Sequence, residues 1–131
     1  AITAFQKAIE LQPEEPRGYY GLGLVYYNQK DYLQATSLFE RAVLASPQFS
    51  AAFEYLGWSF YVQKDYEKAT GYFQRAVELT PNNPTRLAAL GWSLFNLQRY
   101  REARTAFEKA SQIDPALALA KEGLAATEGK Q

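Results

Sequence analysis

The 131-residue sequence contains no cysteine and no histidine. The first absence excludes disulfides, thiolate metal sites and cysteine nucleophiles, and leaves the redox compartment unspecified. The second removes the commonest metal ligand and the commonest general base. Net charge is missing too: 14 lysines and arginines balance 14 aspartates and glutamates. Nothing in bulk therefore favours nucleic acid or an acidic membrane surface. No apolar run approaches the roughly 18 residues needed to span a bilayer, and the N-terminus has no signal-peptide pattern. A soluble protein is expected, with the cytoplasm as the favoured compartment. The chain does not open with methionine, which suggests a segment of a longer protein. What is plentiful is apolar and aromatic residues, at 47% and 15% of the chain, the composition of one folded domain rather than a disordered segment.

The chain is organised around Phe53–Pro81, FEYLGWSFYVQKDYEKATGYFQRAVELTP. Upstream, Tyr19–Pro47 repeats its pattern at an offset of 34 residues, and downstream Leu87–Pro115 does so again. A period of that length marks a stacked repeat of two helices per unit. Three complete units are expected, 16–49, 50–83 and 84–117, with residues 1–15 as the second half of a truncated unit. Ala1 then falls at position 20 of a unit whose first helix is missing, so the natural protein is expected to extend N-terminally. Each unit holds two apolar-periodic segments. Helix A is expected near 17–29, 51–63 and 85–97, and helix B near 32–45, 66–79 and 100–113. The short A–B links force antiparallel neighbours. Pro13, Pro47, Pro81 and Pro115 end the B helices, while Pro16 and Pro84 suit helix starts.

Gly23, Gly57 and Gly91 fall mid-helix, where glycine costs about 1 kcal/mol relative to alanine. The repetition implies a gain, expected as close approach of helix B at Ala35, Ala69 and Ala103. Ala8, Ala42, Ala76 and Ala110 are expected between one unit and the next. Tyr19, Phe53 and Leu87, Leu22, Leu56 and Leu90, Tyr26, Phe60 and Leu94, and Phe39, Phe73 and Phe107 are expected to fill the core.

This pattern of aromatic, Leu-Gly, Tyr, Tyr, Ala, Phe, Ala and Pro resembles the tetratricopeptide repeat over nearly the whole chain. Two features depart from it. Lys30, Lys64 and Gln98 stand at the A–B turn, where the family favours glycine, and left-handed geometry there would strain each by about 1–2 kcal/mol. Arg99 replaces Asp31 and Asp65 of the first two units. The segment 118–131 resembles a terminal capping helix and tail, since Lys121 and Glu128 stand where a following helix B would bury them. Gly129 to Gln131 should fray.

The resemblance implies an all-α, right-handed superhelical solenoid of about eight helices, with the A helices lining its concave side. It maps ligand-contacting positions onto Arg17, Tyr20, Leu24, Tyr27 and Asn28 in the first unit. In the second they are Ala51, Glu54, Trp58, Tyr61 and Val62; in the third, Thr85, Ala88, Trp92, Phe95 and Asn96. Spacings of three and four put each set on one helical face. The basic and asparagine clamp that some members use for the C-terminal carboxylate of chaperone tails is missing, because its places hold Tyr20, Leu24, Thr85 and Ala89. An aromatic groove suits an apolar peptide or an amphipathic helix instead.

No catalytic, metal or cofactor site is expected. Gly21-Leu22-Gly23 lies inside a helix and reads as packing, not as a phosphate loop. Glu10, Glu14 and Glu15, and the basic cluster Arg99, Arg101, Arg104 and Lys109, read as solvated surface. The expected function is a non-catalytic protein-interaction scaffold. A protein or peptide is its partner, with no nucleic acid and no membrane insertion. The alternative is a structural spacer, or a segment that self-associates through its truncated N-terminal end.

Overall fold

A computed structural model describes residues 1–130, and Gln131, the end of the expected tail, lies outside the described residues. Among the described residues there are eight α-helices and no strand. They are α1 (Ile2–Leu11), α2 (Pro16–Asn28), α3 (Tyr32–Ala45), α4 (Ser50–Val62), α5 (Tyr66–Leu79), α6 (Pro84–Asn96), α7 (Tyr100–Ile113) and α8 (Ala118–Thr127). Helix α2 packs on α3, α4 on α5 and α6 on α7, and each pair stacks on the next to give an all-α solenoid. The B helices α3, α5 and α7 have the expected bounds. They end two residues before a proline, on extended caps such as Ser46 and Asp114, as a following proline requires.

The A helices run one residue earlier than expected at both ends, starting after N-caps at Glu15, Phe49 and Asn83, and the left-handed turns fall at the expected residues. Lys30, Lys64 and Gln98 have φ of 64°, 65° and 65°. Each closes a double hydrogen-bonded helix end. The Lys30 and Asp31 N–H groups donate to the carbonyls of Tyr27 and Tyr26 at 3.0 and 2.9 Å, and the two later units repeat the pair. This satisfies carbonyls that a helix end otherwise leaves open, at about 1–2 kcal/mol of strain for a residue with a Cβ. Glycine removes that strain but adds about 0.5–1 kcal/mol of chain entropy to the unfolded state. Gln98→Gly is therefore expected to stabilise by about 0.5–1 kcal/mol, read as a higher urea midpoint at an unchanged m-value.

The next helix starts at once. Asp31 and Asp65 cap α3 and α5 by accepting the N–H of Gln34 and Lys68 at 3.3 and 3.2 Å. Arg99 offers no cap to α7 and instead grips Glu102 through two hydrogen bonds of 2.9 and 2.7 Å.

The core corrects three expectations. Ala35, Ala69 and Ala103 are fully buried, but the closest neighbours of the helix A glycines are phenylalanine rings. A Cβ at Gly23, Gly57 or Gly91 would lie 2.6, 2.5 or 2.6 Å from ring carbons of Phe39, Phe73 or Phe107. A phenyl ring reaches across to the A-helix backbone where a methyl cannot. The three rings are 0% exposed. In the last unit Gly123 of α8 closes on the same Phe107 ring as Gly91 does. Four residues of the expected core, Tyr26, Phe53, Phe60 and Leu90, are only half-buried. At the interfaces between units, Ala42, Ala76 and Ala110 are fully buried, whereas Ala8 on α1, which has only α2 against it, is exposed. Lys121 and Glu128 are exposed on and beside α8.

Candidate functional site

The glycine and leucine side of each A helix faces its B helix, so positions three and four residues apart on the other side form a second stripe. Helices α4 and α6 pack side by side, as do α6 and α8, which lines these stripes up. Tyr20, Leu24, Tyr27, Trp58, Tyr61, Trp92 and Phe95 are all half-buried along them. Val62, Asn28 and Asn96 are exposed at the C-terminal ends of the A helices.

In the first unit the stripe closes on itself through Tyr55 of α4. Tyr55 meets Tyr20 at 6.1 Å and Tyr27 at 5.3 Å, both edge-on, and Tyr20 also packs on Phe49 at 4.7 Å. Burial first, and then the nearby Tyr55 and Glu54, raise the hydroxyl pKa of Tyr20. Burial likewise raises those of Tyr27 and Tyr61. These hydroxyls stay neutral across the physiological range.

The second and third units share one geometry. Trp58 stands edge-on to the core ring of Phe73 at 5.0 Å and to Tyr61 at 5.3 Å. Trp92 does the same with Phe107 and Phe95, both at 5.4 Å. Both indole N–H groups are already satisfied. That of Trp58 donates to Glu54 Oε2 at 3.3 Å and that of Trp92 to the Leu119 carbonyl at 3.0 Å. What each indole leaves open is ring surface. Asn96 ties the two units by donating from Nδ2 to the Tyr61 hydroxyl at 2.9 Å. Arg17 stands apart, with its side chain 82% exposed and paired with Glu15 at 3.0 Å. That pairing, hydrogen bond foremost, holds the Glu15 carboxyl below its ordinary range.

Arg86 belongs to this surface and is absent from the expected set. Its Nε donates to Glu54 Oε1 at 2.7 Å, and its Nη1 donates to Ser50 Oγ and Thr80 Oγ1 at 3.0 and 3.1 Å. Both side chains of the ion pair are only 14% exposed. A signal existed in the sequence: the first two units carry Gly18 and Ala52 at this register, so an arginine there, 32 residues after Glu54, breaks the pattern. Removing one member of such a pair strands the other's charge. Glu54→Ala is expected to destabilise by about 1.5–3 kcal/mol, read in thermal unfolding.

The other charged clusters are dispersed. Arg99 is held by Glu102, and Arg104 donates to the Thr127 carbonyl on α8. Among the described residues no group of His, Cys, Asp and Glu is placed to hold a metal ion, and no helix is long and apolar enough to cross a membrane.

Three family models match the chain. One described as TPR repeat matches residues 1–30, and one described as Tetratricopeptide repeat matches residues 16–49. A third, described as Anaphase-promoting complex, cyclosome, subunit 3, matches residues 35–110. The chain belongs to the tetratricopeptide repeat family. Solved structures share its fold at low identity. The crystal structure of MamA is 22% identical with a TM-score of 0.91, covering 98% of this chain and 76% of that one. The first tetratricopeptide domain of Spaghetti (RPAP3), bound to the HSP90 peptide SRMEEVD, is 19% identical with a TM-score of 0.84, covering 87% and 90%. The Sgt2 domain from Aspergillus fumigatus is 21% identical with a TM-score of 0.81, covering 86% and 76%. No curated protein matches the chain. Within this tetratricopeptide array, the two indoles and the Glu54–Arg86 bridge all lie on the A helices α4 and α6.

Proposed function

We propose that this array is a non-catalytic protein-interaction module that takes an apolar peptide or amphipathic partner helix in an aromatic groove on the concave side of its A helices. The observation that carries the reading is the repeated tryptophan geometry. Trp58 and Trp92 are braced edge-on by core rings and have their N–H groups satisfied, so they offer rigid ring surface with little left to order on binding. Tyr20, Leu24, Tyr27, Tyr61, Val62 and Phe95 extend that wall, with Asn28 and Asn96 as polar rim and Arg17 at the far edge. The units 16–49, 50–83 and 84–117, with 1–15 and 118–131 flanking them, are the divisions of this reading.

The Spaghetti domain of similar fold holds an acidic HSP90 peptide. The same ligand does not suit this face, because Glu54 already neutralises Arg86 and the clamp places hold Tyr20, Leu24, Thr85 and Ala89. No nucleic acid, membrane insertion or cofactor enters the reading. The alternative is a structural spacer, or self-association through the truncated N-terminal end, where Ala8 of α1 is exposed. The test is selection of peptides on the immobilised protein, followed by titration into wild type and into Trp58→Ala with Trp92→Ala. Apolar binders lost in the double variant support the groove; binders unaffected by it count against the groove.

A further inference from the structure

Phe53 and Phe60 occupy the same registers as Tyr19 and Tyr26 and as Leu87 and Leu94; Tyr19, Leu87 and Leu94 are buried, whereas Phe53, Phe60 and Tyr26 are half-buried. They floor a cleft of about 400 Å³ on the B-helix side of the array, between α3 and α5. Tyr72 of α5 lies nearly parallel to Phe60 at 5.6 Å and stacks on Phe53 at 6.3 Å, so the floor is one continuous aromatic surface. Lys68 Nζ sits over the Phe60 ring at 5.2 Å and the Arg75 guanidinium over the Phe53 ring at 5.8 Å. Glu40 on the α3 wall accepts the Tyr72 hydroxyl at 3.4 Å.

Gly71 lies between the two cations on the same helix. Gly23, Gly57 and Gly91 each answer to a phenylalanine ring, but at the exposed Gly71 nothing beyond its own helix backbone and chain neighbours lies within 4 Å of where a Cβ would stand. Its counterparts in the other units are Ser37 and Thr105. A mid-helix glycine weakens the helix, and nothing within the described chain accounts for this one. The matching cleft between α5 and α7 has leucines for a floor, and Glu102 and Lys109 where the unit-two cleft has Lys68 and Arg75. Arg99 lines that cleft as well, but its charge is taken up by Glu102 at 2.7 Å, so the aromatic floor and Lys68 in the place of Glu102 distinguish the unit-two cleft.

We infer that the α3–α5 cleft is a second docking surface, for an acidic amphipathic helix. Lys68 and Arg75 are seven residues apart, on one face of α5 and about 10 Å apart along its axis. A partner helix with two glutamates seven residues apart matches both. Its apolar stripe lies on Phe53, Phe60 and Tyr72. The missing side chain at Gly71 lets the two backbones approach toward the short end of the roughly 8–10 Å helix spacing. The Arg75–Glu78 pair, 3.5 Å with both side chains exposed, yields readily to such a partner because exposed pairs contribute little.

Fluorescence anisotropy tests this with a labelled helical peptide carrying glutamates seven apart and alanine and leucine between them. Wild type is expected to bind it, and Gly71→Leu to bind it at least about ten-fold more weakly. The fold of that variant should survive, because the site is open and leucine favours helix. Lys68→Glu with Arg75→Glu should lose the peptide and gain its glutamate-to-lysine counterpart. Trp58→Ala with Trp92→Ala should bind as wild type does, which separates this surface from the A-helix groove. Absence of binding to wild type at millimolar protein, or equal binding by Gly71→Leu, overturns the inference. So does loss of binding in the tryptophan variant.

Discussion

Phe107→Ala is expected to cost about 3–5 kcal/mol, the range for deleting a fully buried aromatic side chain. The ring is 0% exposed, and its surroundings cannot collapse to fill the space. Gly91 of α6 and Gly123 of α8 flank it, and neither has a side chain to swing inward. Trp92, braced on the ring at 5.4 Å, loses its support as well. Three helices meet at this residue, so the damage should concentrate in α6, α7 and α8. In a stacked array each unit contacts only its neighbours. Urea unfolding of the variant should therefore become broader or biphasic, with the C-terminal helices melting first. Gly91→Ala approaches the same contact from the other side. Its Cβ would lie 2.6 Å from the ring, so it should destabilise wild type by about 1–3 kcal/mol and do less harm in a Phe107→Leu background. Simple additivity of the two substitutions would show that the glycine and the ring are not in contact.

Trp58→Ala with Trp92→Ala is expected to abolish partner binding. Tryptophan is prominent among residues that dominate interface energy, with truncations costing about 2 kcal/mol or more each. The two indoles are 34 residues apart in sequence, in equivalent places on neighbouring A helices. Packed helices lie roughly 8–10 Å apart, a spacing at which two rings can flank one apolar ligand side chain. The fold should survive at a lower melting temperature, because each ring is half-buried and touches the core only by its edge. Circular dichroism at low temperature separates loss of binding from loss of structure. Tyr61→Ala with Phe95→Ala, one turn further along the same faces, should weaken binding without touching Phe73 or Phe107.

Much of the fold is legible in the sequence because its cause is local and repeated. Prolines end the B helices, and glycines mid-helix announce close packing. A fixed 34-residue period brings the same residues to the same seams. The partner of those glycines is harder to read, since periodicity shows which face is buried but not how far a side chain reaches. An alanine and a phenylalanine four residues apart share the B-helix face, and the longer one makes the contact. The A-helix stripe is legible as a face, but its internal pairing is not. Arg86 meets Glu54 across the boundary between units, a contact set by how units stack and not by any one helix. The cleft over Phe53 and Phe60 escaped for a related reason. Their register marks them as core, and how far a ring is covered at that register is set by the neighbouring unit, since Tyr26 is half-buried as well.

Backbone amide chemical-shift mapping shows whether a partner lies on the A-helix face. A selected apolar peptide is titrated into isotope-labelled protein. Shifts are expected to concentrate at Tyr20, Leu24, Tyr27, Trp58, Tyr61, Trp92 and Phe95, with both indole N–H signals moving and α3 and α5 quiet. Shifts confined to α1, or to the outer faces of α3, α5 and α7, with unmoved indole signals, would contradict it.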